Sequence, residues 1–141
     1  MPRITFQALG VANSFRERAR LSKWITHVAK DHGVMVGDLA FVLLTDEGLL
    51  QYNKRYLNHD DYTDVITFDG QTGNGVSGDI LISLDRVAAN AKGLGVPLQV
   101  ELRRVMVHGL LHLLGYKDKS AKAKTAMRKA EDDLLQLYLK Q

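Results

Sequence analysis

The sequence has no cysteine, two prolines and no long unbroken apolar run. Without cysteine there are no disulfides, and any bound metal must be held by histidine or carboxylate side chains. With so little proline, and no serine-rich tract, low-complexity segment or internal repeat, nothing in the chain marks a linker. One domain over residues 1–141 is therefore expected. A membrane span needs about 20 apolar residues. The longest apolar stretch here, around Val105–Leu114, is broken by His108, Gly109 and His112. The opening MPRITFQALG lacks the apolar core of a secretory signal, so a cytoplasmic location is expected. Excess charge of one sign is also small, at +3, which permits a nucleic-acid partner without requiring one. What is present is 45% hydrophobic content, enough for a packed core rather than a disordered chain.

Apolar spacing predicts the element order βαβαββααα. Arg3–Ala8 reads as a short strand. Ser14 and Glu17 have capping-box spacing, which predicts a helix from Ser14 to Lys30. Its buried stripe is Leu21, Trp24, Ile25 and Val28, with Arg16, Arg20, Lys23 and His27 opposite and Gly33 as its end. Leu39–Leu44 is continuously apolar, as in a buried strand. Thr45 or Asp46 can cap a second helix to Tyr56, packed through Leu49, Leu50 and Tyr52. Val65–Phe68 and Gly78–Ser83 read as an antiparallel hairpin across a turn from Gly70 to Gly75. Helices follow over Asp85–Gly93, Leu98–Leu114 and Ser120–Leu139, the last with Met127, Ala130, Leu134 and Leu137 at helical spacing. The fold class is α+β: a small mixed four-stranded sheet packed by about five helices.

The chemistry concentrates in the Leu98–Leu114 helix. Val105, Met106, Val107, Leu110, Leu111, Leu113 and Leu114 leave it no hydrophilic face, so it is expected to be central and buried. His108 and His112, four residues apart, share one side of it. Two imidazoles so placed are either core residues with separately satisfied rings or the chelating pair of one zinc ion. Gly115 allows a sharp reversal that can return Asp118 to the same point, giving three ligands and an open fourth position. Asp118 can instead cap the last helix, and so can Ser120. Gly109 costs about 1 kcal/mol in mid-helix relative to alanine, which a close approach by another backbone would explain. In HExxH metalloproteases a glutamate follows the first histidine; here that position is Gly109.

The block His108-Gly-Leu-Leu-His112-Leu-Leu-Gly115-Tyr116 resembles the signature of the bacterial YbeY family, metal-dependent endoribonucleases of ribosomal RNA maturation. Asn53-Lys-Arg-Tyr56, continuing through Asp60 and Thr63-Asp64-Val65 to Phe68, is similar to a second block of that family, and Gly78-Asp79-Ile80 to a third. The blocks stand in the family's order over residues 53–118. Three positions depart from it: Asp118 replaces a histidine, Tyr62 a proline, and Leu57 an arginine to which the family assigns a part in RNA cleavage.

The resemblance implies a zinc-dependent endoribonuclease that prefers single strands, acting in ribosomal RNA maturation and ribosome quality control. Expected partners are single-stranded or ribosomal RNA and the ribosome or its proteins, with no membrane and no DNA. Metal ligation is expected from His108, His112 and Asp118, one Zn2+ per chain. His59 and Arg55 are the catalytic candidates near the lost arginine. Positive charge for phosphates is available at Arg16, Arg20 and Lys23, and at Lys117, Lys119, Lys122 and Lys124. Two other readings stay open: an assembly factor with a structural metal and weak catalysis, which Leu57 favours, and a metalloprotease without the usual glutamate.

Overall fold

The computed structural model describes residues 3–70 and 75–141. The elements are β1 (Arg3–Leu9), α1 (Arg18–Asp31), β2 (Val36–Leu44), α2 (Asp46–Leu57), β3 (Val65–Asp69), β4 (Val76–Ser83), α3 (Leu84–Leu94), α4 (Leu98–Leu113) and α5 (Ala121–Lys140). They form the expected α+β architecture, with strands in the order β1-β2-β4-β3. β1, β2 and β4 run parallel, and β3 pairs antiparallel with β4, Phe68 opposite Asp79 and Ile66 opposite Leu81. The middle of the turn expected between Gly70 and Gly75 lies outside the described residues.

The unbroken apolar run of β2 follows from its central place. Leu39, Phe41 and Leu43 enter the main core, while Val42 and Leu44 join Leu49, Ile66 and Leu81 in a smaller core beneath α2. α1 packs its predicted stripe of Leu21, Trp24, Ile25 and Val28 into the main core. Trp24 also donates its Nε1–H to the Leu134 carbonyl and meets Tyr138 edge-on, which fixes α5 against α1. The Thr45 hydroxyl caps α2 by accepting from the Gly48 N–H.

Two expectations need correction. The capping box at Ser14 and Glu17 does not form, and α1 starts later, at Arg18, after a left-handed Glu17 that makes no side-chain cap. Phe15 is drawn into the core and the Asn13 side chain binds the Phe6 carbonyl and the Phe15 N–H; this tucked loop outcompetes a first helical turn. Gly109 is explained by side chains, not by another backbone. A Cβ there would lie 2.7 Å from Ile80 Cγ2 and 3.4 Å from Thr67 Cγ2, so the glycine lets α4 rest directly on β3 and β4. That contact sets the depth of the histidines. Among the described residues no helix is long and apolar enough to cross a membrane.

Candidate metal centre

α4 buries Leu102, Val105, Met106, Val107, Leu110 and Leu111, and turns His108 and His112 to its one partly open face. Their Nε2 atoms stand 3.0 Å apart. After Leu114, Gly115 takes φ 103°, a conformation that suits glycine, and the chain doubles back. Ser120, not Asp118, caps α5, its hydroxyl accepting from the Ala123 N–H. Asp118 is thereby free to turn inward, and its Oδ2 lies 3.2 Å from His112 Nε2 and 3.6 Å from His108 Nε2. These three residues form the one group of potential metal ligands found among the described residues.

The hydrogen bonds behind the rings decide which nitrogens face the centre. His112 Nδ1 is 3.1 Å from the Tyr116 carbonyl, which can only accept, so Nδ1 carries the proton. His108 Nδ1 is 2.5 Å from Glu131 Oε2, where a carboxylate likewise takes the donor. In the neutral rings both Nε2 lone pairs then point at each other and at a carboxylate oxygen. Three acceptors at 3.0, 3.2 and 3.6 Å repel unless a proton or a cation lies between them. A tetrahedral ion with bonds of about 2.0–2.1 Å sets its ligands about 3.3–3.4 Å apart. The residues therefore fit such an ion. Side-chain exposures of 25%, 27% and 39% for His108, His112 and Asp118 leave one side open for a further ligand.

The supports extend outward. Glu131 is buried, and its second oxygen accepts from Arg104 Nη1 at 3.0 Å while Arg104 Nη2 reaches Asp132 at 2.6 Å. Burial lowers the His108 pKa, but the Glu131 hydrogen bond and charge, with Asp64 and Asp118 nearby, outweigh it, and the net shift is upward. On the other side the Tyr116 hydroxyl donates to His32 Nε2 at 3.0 Å, because His32 Nδ1 is used on the Val28 carbonyl. The C-terminal end of α1 thus holds the residue that orients His112.

Two clefts meet at the centre, both bordered by Asp64, His108 and Asp118. One runs past Leu57, Thr63, Tyr116, Lys117 and Lys119. The other runs between α4 and α5 past Glu101, Arg104, Lys124, Met127 and Arg128. Buried Asn53 steadies the connecting loop by donating to the Asp61 carbonyl, and the Asp64 carbonyl accepts from Ser83 N–H. His59 and Arg55 line neither cleft. Arg55 lies over the edge of the Tyr56 ring, 5.7 Å from its centroid, and His59 is exposed. Leu57 is the residue of that loop end that reaches the metal side.

Glu131, which stands in an acidic run with Asp132 and Asp133, is the residue of the centre that the sequence analysis does not single out. Its position carried a signal: it lies four residues after Met127 and seven before Tyr138, on the stripe α5 buries. A charge on a buried stripe calls for a partner.

The sequence model of a family described as Endoribonuclease YbeY matches residues 9–139. A Porphyromonas gingivalis protein named Endoribonuclease YbeY is 44% identical over 96% of this chain and 89% of its own. A Cytophaga hutchinsonii protein of the same name is 46% identical over 86% of each chain. Among solved structures, a solution structure of a Thermotoga maritima protein superposes with TM-score 0.64, covering 99% of this chain and 93% of its own at 24% identity, a likeness of fold.

Proposed function

The chain belongs to the YbeY endoribonuclease family, and on that premise we propose that it is a metal-dependent endoribonuclease whose cation is held by His108, His112 and Asp118. The observation that carries the reading is the convergence of two anchored Nε2 lone pairs and a carboxylate oxygen on one point. We further propose zinc as the metal, one per chain, since nitrogen and oxygen ligands with an open position suit it. Residues 1–141 act as one domain.

Bound there, the ion supplies a Lewis acid for a phosphate oxygen and lowers the pKa of a coordinated water. The protein's own part is positional. Glu131 and Tyr116 hold the two rings in one tautomer, Asp118 adds negative charge to the ligand set, and Lys117 and Lys119 draw an RNA backbone along the adjoining cleft. Arg55 and His59, exposed and outside both clefts, are proposed as contacts for RNA phosphates beyond the metal. The substrate proposed is single-stranded RNA, within ribosomal RNA maturation and ribosome quality control in the cytoplasm, with the ribosome or its proteins as partners.

One observation favours a second reading, in which the protein assists ribosome assembly and cleaves weakly. The cleft wall beside the metal carries Leu57, a side chain that cannot stabilise a phosphate. Cleavage of a single-stranded RNA before chelation, after chelation and after restoring zinc separates the two. The nuclease reading expects loss and recovery of cutting while the circular dichroism stays folded. Cutting that is absent throughout, from a protein that binds the metal, overturns it in favour of the assembly factor.

A further inference from the structure

The cleft between α4 and α5, about 400 Å³ in volume, is not accounted for by metal binding. Glu101 forms its floor, 5% exposed, and its Oε1 is fully buried with no hydrogen-bond partner. The base on its own helix that lines the cleft, Arg104, is committed to Glu131 and Asp132. A buried polar group without a partner is costly, so its persistence beside an open cleft needs a reason. Val105 and Met127 give the cleft an apolar wall, 3% and 2% exposed. Lys124 and Arg128 stand at its rim, and Arg128 is only loosely held by Glu131 at 4.0 Å. Glu101 precedes His108 by seven residues, two turns on the same face and about 10 Å along the axis. That is too far to touch a phosphate at the metal and near enough to meet the neighbouring nucleotide.

We propose that this cleft is a base-reading subsite. In it the Glu101 carboxyl pairs with the base next to the scissile bond, the base lies against Val105 and Met127, and Lys124 and Arg128 hold the adjoining phosphate. The proposal rests on the endoribonuclease reading. Burial pushes the Glu101 carboxyl up, against the pull of Arg104 and Arg128. A carboxyl on this floor accepts from a base donor, an exocyclic amine or a ring N–H, and these differ in number and place from base to base. The other cleft has no buried acid in its lining.

The test is limited cleavage of a random-sequence single-stranded RNA pool by the metal-loaded protein, with sequencing of the ends. Wild type is expected to show a roughly tenfold preference for one base on one side of the cut. Glu101→Leu should flatten it while the bound metal is unchanged, and Arg128→Ala should raise KM without altering it. The subsite is overturned if wild type cuts with no flanking preference, or if the Leu variant keeps the wild-type profile. A wild type that holds metal yet cuts nothing in the pool refutes the nuclease reading itself.

Discussion

Glu131 shows how much of the centre depends on a residue that touches no metal. It fixes the His108 tautomer and leaves Nε2 as the lone-pair nitrogen. Glu131→Ala should weaken metal affinity about 10- to 100-fold, measured by competition with a chromophoric chelator, with Glu131→Gln losing less because its amide oxygen still accepts. The same contact governs pH. Burial opposes the charged imidazole but Glu131 prevails, so His108 holds its proton to a higher pH than an ordinary histidine. Metal loading should therefore decline as pH falls through that raised value, and the decline should move to lower pH in Glu131→Ala. Glu101 gives a separate prediction about stability. Burial raises its pKa, with Arg104 opposing, Asp64 adding, Arg128 opposing and Glu131 adding. A group raised in the fold contributes stability below its unfolded pKa, about 4.3, and loses it as pH rises through the folded value. Urea unfolding of the metal-free protein should find Glu101→Gln equal to wild type in acid and more stable than it at neutral pH. At this scale His108, His112 and Asp118 were legible because helical spacing and one glycine place them together. Glu131 was hidden because its partner is 23 residues away, and only the α5 stripe betrays it.

The elements sort the basic residues that composition leaves equivalent. Of the cluster after the centre, Lys117, Lys119 and Lys124 border the two clefts. On α1, Arg20 is engaged with α5, donating to the Tyr138 carbonyl and stacking on its ring 4.2 Å from the centroid. Just before α1, Arg16 donates to the Asn13 carbonyl. Changing Lys117 and Lys119 together to alanine should weaken RNA binding and reduce the slope of log K against log salt by about 1.4, near 0.7 for each single-strand phosphate that is no longer neutralised. Changing Arg16 and Lys23 should leave that slope near its wild-type value. Element types and order were legible because α1 and α5 carry clean stripes, α4 is apolar nearly all round, and β2, β3 and β4 are β-branched or apolar runs. The start of α1 was not, since Asn13 and Phe15 act through distant residues.

For the molecule as a whole, the centre lies at the margin of a core that does not need it. The main core is built from α1, β2, β4 and the inner side of α4; His108 and His112 occupy α4's remaining face, and Asp118 comes from the loop that follows. Chelation should leave the protein folded with a lower Tm. At free metal about 100 times Kd the stabilisation removed is about 2.7 kcal/mol, roughly 10 °C for a chain of this size. Sheet class and the β3–β4 hairpin were legible, whereas the strand order was not, because parallel pairing depends on crossovers that leave no local mark.

The central claim is that His108, His112 and Asp118 grip one cation. Metal content of purified wild type and His112→Ala, after dialysis against a weak chelator, tests it most directly. The account predicts about one ion per wild-type chain and almost none in a variant of unchanged circular dichroism. A folded His112→Ala protein that keeps its full complement of metal would contradict it.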